Sequence, residues 1–297
     1  MIDKLEEKII HQYSSLSGQL FYRYVMGDDS DHTHYGMYLS EHTSMKEALI
    51  LACKSLLQLT NDCLLGSKYP HPTKEPTTAQ PFQLLDLGSG TGGPAQYILT
   101  HTSWDVLCVD LCARSLDRIE QWAKVHQLSD RLSTWCGSFQ SLPEDYTASV
   151  DIIWSQDVLC HASNRQEVFL EAYRILKTNG VMIFSDILLN SNAPRSLAEA
   201  FTGLNQVQNL GSYQQYLNEL RLSGFKTHKE FDWSSFFPIN FMKMLSQIRK
   251  YRSQMLNQGV DPQLISRFEM ALQERLKWEV GEVLEWRAFA TYKRNST

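Results

Sequence analysis

Apolar positions in the first 65 residues recur at helical spacing. Leu5, Ile9, Ile10 and Tyr13 mark one face, and a second helical run covers 45–65. Between them GDDSDHTHYGMYLSEHTS (27–44) is polar and contains glycine, so it reads as a loop. GSKYPHPTKEPTTAQP (66–81) is proline-rich and predicts a linker. From Phe82 the pattern changes. FQLLDL, WDVLCVD, RLSTWC, VDIIWS and VMIFSDILL are short apolar runs that predict strands. Amphipathic stretches at 95–102, 114–127 and 164–177 predict the helices between them. Ser163 or Asn164 can cap the last of these, with Gly180 as the glycine that follows its C-terminus. Further on come a helix at 213–223 stopped by Gly224, a strand FKTHKEFDW, two helices within 236–280 and a closing strand WRAFATYKR.

Strand and helix alternate, which implies right-handed crossovers and a parallel sheet covered on both faces. The expected class is α/β: a Rossmann-like, seven-stranded, mostly parallel sheet with an N-terminal helical cap and a C-terminal helical lid insertion. The expected divisions are a cap and linker at 1–80, a binding core at 81–190, and the rest of the core with its lid at 191–297.

Composition narrows the function. The 297 residues carry 28 Lys+Arg and 33 Asp+Glu, a net charge of −5. No basic block stands out, which argues against a nucleic-acid surface. No apolar run approaches the roughly 20 residues that cross a bilayer. The charged, amphipathic start lacks the apolar centre of a signal peptide, so a cytoplasmic location is expected. Six cysteines occur without a C-x-x-C pair and read as buried, reduced thiols. His32, His34 and His42 cluster in the loop, but their spacing defines no complete metal site, and no metal is expected.

The sharpest signal is LLDLGSGTGG (84–93). Gly88, Gly90 and Gly93 fit G-x-G-x-x-G, the dinucleotide fingerprint. Asp86, Gly88, Gly90 and Gly92 also fit D-x-G-x-G-x-G, the loop of S-adenosylmethionine-dependent methyltransferases. Missing Cβ atoms let the backbone lie against a ligand. A pyrophosphate would suit the following helix N-terminus. A cationic ligand instead suits a carboxylate just before the glycines, where Asp86 stands, able to hold an ammonium directly or through water. Asp110, with Leu111 beside it, ends the second strand where an acid can accept both ribose hydroxyls.

Over residues 80–190 the chain thus resembles class I S-adenosylmethionine-dependent methyltransferases. A narrower resemblance spans nearly the whole chain. FYRYVMG (21–27), HYGMYLSE (34–41), LLDLGSGTGGPAQYI (84–98), WSQDVLCHA (154–162) and LGSYQQYLNELRLSGF (210–225) are similar to the sarcosine/dimethylglycine N-methyltransferases, with phosphoethanolamine methyltransferases as cousins. The resemblance implies S-adenosylmethionine as cofactor, contacted by Asp86, Gly88, Ser89, Gly90, Gly92, Asp110, Leu111 and Gln156. Where the family places an acid and an apolar residue around the adenine, this chain has Ser138 and Phe139.

The resemblance also implies a small amine as acceptor, with sarcosine and dimethylglycine preferred on the route to glycine betaine; a monomer or homodimer is expected. His161 matches a functional histidine of the phosphoethanolamine enzymes, which pair it with an N-terminal tyrosine. Tyr13 lies in the matching segment, so His161 and Tyr13 are the catalytic candidates. Tyr22, Arg23, His34, Asp157 and Ile187 are the expected substrate residues, with Arg23 a candidate for a substrate carboxylate. Ile187-Leu188 departs from the T-D-P-M reading of the dimethylglycine enzymes and leaves other acceptors open. Trp233, Phe236 and Phe237 could form an aromatic box or pack the lid. The rival functions are a nicotinamide dehydrogenase and a catalytically dead S-adenosylmethionine-binding protein.

Overall fold

The computed structural model describes residues 3–66, 81–207 and 210–293. Most of the expected linker, 67–80, lies outside the described residues.

Local signals set the N-terminal helices. Asp3 caps α1 (Lys4–Ser14), accepting from the Leu5 and Glu6 amides, while Glu6 accepts from the Asp3 amide. Ser15 caps α2 (Leu16–Val25), and after the polar loop comes α3 (Met45–Gly66). The alternating core follows: β1 (Gln83–Leu87), α4 (Gly93–His101), β2 (Asp105–Asp110), α5 (Ala113–Val125), β3 (Leu132–Cys136), β4 (Val150–Gln156), α6 (Arg165–Ile175) and β5 (Leu176–Leu189). Then come α7 (Arg195–Asn205), α8 (Tyr213–Leu222), β6 (Phe225–Asp232), α9 (Phe237–Asn257), α10 (Pro262–Arg275) and β7 (Leu284–Lys293).

The strands form one sheet in the order β3-β2-β1-β4-β5-β7-β6. Only β7 runs against its neighbours. Its central strands are apolar on both sides, as a sheet covered on both faces requires. Leu84, Ile152, Trp154, Val181 and Ile183 face one cluster, which takes in α3, α4, α5 and the lid helices α9 and α10. Leu85, Ile153, Met182 and Phe184 face the other, under α6 and α8. The strand order reverses between the parallel neighbours β1 and β4, so their carboxyl ends open a crevice.

Three details differ from the sequence reading. The helix expected to 177 stops at Ile175, because Leu176 already pairs with Val150. Gly180 is therefore a residue of β5, and Asn179 takes the left-handed turn with φ 64°. Helix α7 was not expected, although Leu197, Phe201 and Leu204 repeat at helical spacing. Of the cysteines, Cys136 is exposed and the other five are buried; all six are free thiols.

The inserted helices α9 and α10 pack on the N-terminal region. Phe268 of α10 packs on Phe21 of α2, with centroids 4.7 Å apart. Asn240 of α9 and Gly36 of the loop exchange two hydrogen bonds of 2.9 Å. Trp233, Phe236 and Phe237 pack around Trp286 of β7, which is the packing role.

Gly92 joins β1's loop to α4 in a left-handed conformation, φ 91°, and a Cβ there would lie 2.5 Å from Ile119 Cγ1. Gly92→Ala should therefore cost about 2 kcal/mol of stability, from backbone strain plus overpacking. Thermal unfolding of the purified variant measures this, and an unchanged midpoint would contradict it.

Candidate active site

A cleft of about 1150 Å³, its open mouth included, lies at the carboxyl ends of β1, β2 and β4. The glycine loop forms its floor. The Gly88 and Ser89 amides donate to the Val109 carbonyl, which folds the loop against β2. A Cβ at Gly88 would meet Val158 Cγ1 at 2.3 Å, and one at Gly93 would meet His32 Nδ1 at 2.5 Å. These two glycines, with Gly92, allow close packing of the loop. Gly90 differs. A Cβ there meets nothing nearer than Thr33 Oγ1 at 3.4 Å, so its backbone faces the open cleft.

Asp86 lines the cleft from the end of β1, is 2 % exposed, and leaves Oδ2 without a partner. Burial pushes its carboxyl up to about 7, and the nearby Asp110 charge adds to the rise. At β2's tip, Asp110 Oδ2 accepts from the Gly90 amide at 2.8 Å and Oδ1 from the Cys112 amide at 2.8 Å. Burial raises its pKa as well. The second bond is the turn-capping role open to such an acid, and each oxygen keeps a lone pair for a ligand hydroxyl. Leu111 and Phe139 supply apolar wall on this side.

At the other side stands the pair that the sequence singled out. Tyr13 Oη and His161 Nε2 are 3.3 Å apart, although 148 residues separate them. Tyr13 stacks on Tyr22 at 4.6 Å, and Gln12 donates to the Tyr22 hydroxyl at 2.5 Å. Burial pushes the His161 imidazolium down to about 4, opposed by the Gln206 carbonyl. It pushes Tyr13 far up and Tyr22 to about 12. All three are therefore neutral near pH 7.

Asp157 turns out to be a clamp. Its residue is left-handed, φ 58°, and its carboxylate accepts from the Tyr35 amide at 3.0 Å, Ser185 Oγ at 2.6 Å and Trp286 Nε1 at 2.8 Å. Gln156 lines the cleft and lies 3.0 Å from His34 Nδ1. His34 also reaches the cleft. Its Nδ1 is 2.8 Å from the Tyr35 carbonyl, which only a protonated Nδ1 can bond. That leaves Nε2 to accept from His32 Nδ1 at 2.9 Å, while the Cys53 thiol donates to Gln156 Oε1 at 3.5 Å. His32, His34 and Cys53 lie close enough to ligate an ion, but their hydrogen bonds already close upon one another and on Gln156. His42 does not belong to this cluster.

Four expected residues fall away from the cleft. Arg23 pairs with Asp29 at 2.6 Å on the half-exposed side of α2. Ser138 donates to the Glu6 carboxylate and does not line the cleft. Ile187 is core, paired across the sheet with Trp286. Gly92 is held against Ile119. Conversely Glu6, Ile9, Gln19, Thr33 and Gln140 line the cleft without having been singled out. Glu6 carries a signal in retrospect: it lies seven residues before Tyr13, on the same face of α1.

Among the described residues the cleft is lined by four carboxylates, Glu6, Asp86, Asp110 and Asp157, and by no lysine or arginine. Such a site repels a pyrophosphate and suits a cationic ligand, so the dehydrogenase reading loses its physical basis.

Comparison with known proteins agrees. Residues 85–184 match the family model of a methyltransferase domain. The sarcosine/dimethylglycine N-methyltransferase of Aphanothece halophytica is 30% identical over 221 residues, 73% of each chain. Its counterpart from Halorhodospira halochloris is 24% identical, covering 75% of this chain and 74% of that one. A protein from Galdieria sulphuraria assigned as a sarcosine dimethylglycine methyltransferase superposes with a TM-score of 0.80 at 21% identity, covering 96% of this chain and 100% of that one. The cyclopropane synthase MmaA2 of Mycobacterium tuberculosis shares the fold at a TM-score of 0.79 and 15% identity, with 99% of each chain covered.

Fold and cleft together define a class I S-adenosylmethionine-dependent methyltransferase. The chain belongs to the sarcosine/dimethylglycine N-methyltransferase family. The orphaned Asp86 oxygen and the open face of Gly90 both lie at the cleft, with Asp110 beside them at the tip of β2.

A bound cation favours the ionised form of Asp86. Affinity for S-adenosylhomocysteine should therefore rise as pH climbs through about 7 and fall below it. Asp86→Asn should weaken binding roughly tenfold or more and flatten that rise. Calorimetric titration across the range, with wild type and variant in parallel, would show an undiminished rise in the variant if Asp86 were not the group concerned.

Proposed function

We propose that the enzyme methylates a small amine at the Tyr13–His161 end of the cleft, with sarcosine and dimethylglycine as its acceptors and glycine betaine as the end product. The observation that carries this reading is the 3.3 Å contact between Tyr13 and His161, set into a wall of the cleft. The naming of the relatives supports the choice of acceptors.

When bound, S-adenosylmethionine supplies an electrophilic methyl on a sulfonium. The protein's task is alignment, exclusion of water and removal of a proton from the acceptor ammonium. Neutral His161 offers Nε2 as an acceptor, either to the Tyr13 hydroxyl or to an ammonium N–H. With a pKa of about 4 it is a weak base, so it orients the amine's lone pair more than it captures the proton. The Tyr13 hydroxyl, held by the stack on Tyr22, fixes the other side of the nitrogen. Arg275, outside the cleft wall and without an acid partner among the described residues, acts through Tyr22 and Tyr35 and supplies positive potential for an acceptor carboxylate.

The lack of a lysine or arginine in the cleft wall also favours a second reading, an amine acceptor that carries no carboxylate. Initial rates with sarcosine, dimethylglycine, phosphoethanolamine and dimethylethanolamine, read as S-adenosylhomocysteine release, separate the two. Turnover of dimethylglycine supports the first, turnover confined to dimethylethanolamine the second. No turnover with any of the four would favour a binding protein without catalysis.

His161→Ala should lower kcat by about 10²-fold or more while cofactor affinity stays within about threefold, and Tyr13→Phe should act in the same direction. Because His161 stays neutral down to about pH 4, the rise of kcat/KM with pH should follow the acceptor's own ammonium. An acid limb that vanished in His161→Ala would show the imidazole to be the titrating group instead.

A further inference from the structure

Glu6 is a buried carboxylate with no role in the chemistry described so far. It is 4 % exposed, lines the cleft, and has no lysine or arginine partner among the described residues. Its capping duty on α1 uses only Oε2, which accepts from the Asp3 amide at 2.9 Å. Oε1 instead faces the segment after β3, where it accepts from Ser138 Oγ and from Gln140 Nε2, the latter at 3.0 Å. Two neutral donors thus hold an acid from the first helix beside Phe139, and carboxylate oxygens together accept about four hydrogen bonds. With three neutral donors and no cation beside it among the described residues, Glu6 has room for about one more hydrogen bond, and its place in the cleft wall opens that room to a donor from a ligand.

The surroundings say which donor. Leu111, Phe139 and Ile9 line the same cleft and offer apolar faces to a flat ring. Leu111 directly follows Asp110, the ribose acid, so a nucleoside held there extends its base along this wall. The base edge that an acceptor-only group can read is an N–H. Adenine presents an exocyclic amine, and its deaminated form presents a carbonyl oxygen, which a carboxylate repels.

We propose that Glu6 reads the exocyclic amine of the cofactor's adenine, so that helix α1 supplies the acid missing at Ser138. Ser138 and Gln140 are positioning residues that aim Glu6. This assignment rests on the cofactor alone and is independent of the acceptor and of the Tyr13–His161 pair.

The test is equilibrium binding of S-adenosylhomocysteine and of S-inosylhomocysteine, which differ in that amine. Wild type should prefer the adenosyl compound by roughly tenfold or more. In Glu6→Gln the preference should shrink to within about threefold, because the carboxamide can donate as well as accept. Ser138→Ala removes one of the two donors that aim the carboxylate, so it should narrow the preference only part of the way; an unchanged thermal midpoint in both variants separates base reading from damage to α1. No preference in the wild type would overturn the proposal. So would Glu6→Gln weakening both nucleosides equally, which is what a purely structural role for Glu6 predicts.

Discussion

The carboxylate of Asp157 ties the N-terminal loop to two paired strands of the sheet. It accepts from the amide of Tyr35 in the N-terminal loop, the hydroxyl of Ser185 on β5 and the indole of Trp286 on β7. Burial alone raises its pKa, and those donors are what keep an ionised group tolerable there. Its backbone is left-handed, a conformation that a non-glycine residue keeps only when its surroundings enforce it. The consequence is positional. Gln156 before it and the turn Leu159–His161 after it are set against the N-terminal helices, and the cleft acquires a roof.

Charge in the cleft follows one sign. Asp86, Asp110, Asp157 and Glu6 line it without a lysine or arginine among the described residues. Burial raises the cost of ionising Asp86, Asp110 and Asp157, and the nearby Asp110 charge adds to it at Asp86. A ligand carrying positive charge and many N–H and O–H donors relieves that cost, which links affinity for the cofactor to the electrostatics of the unliganded pocket. The aromatic end works differently. Tyr13 and His161 are half-buried beside the buried Tyr22, and all three are uncharged, an environment that disfavours an ammonium.

The Tyr13–His161 end of the cleft is assembled by segments remote in sequence. Tyr13 comes from α1, His161 from the turn after β4, and Tyr22 from α2 packed on α10. The lid helices act through packing and through the Asn240–Gly36 exchange. Ile187, expected at the substrate, is buried in the sheet's core and paired with Trp286, away from the cleft.

Sequence by itself determined the sheet, its crossovers and the glycine loop. Each of these follows from a local rule: a period of two or 3.6, a residue without Cβ, an acid at a strand's end. The Tyr13–His161 pair was legible only through resemblance, since nothing local connects residues 148 apart. Tertiary structure decided the rest. It committed Arg23 to Asp29, sent Ser138 to Glu6, buried Ile187 and turned Asp157 into a clamp, because which partner a polar group meets depends on the docking of α1, the loop and the lid. It also brought Glu6 into the cleft. No spacing rule could announce that contact, as its partners lie more than a hundred residues downstream and only folding places them within hydrogen-bond reach.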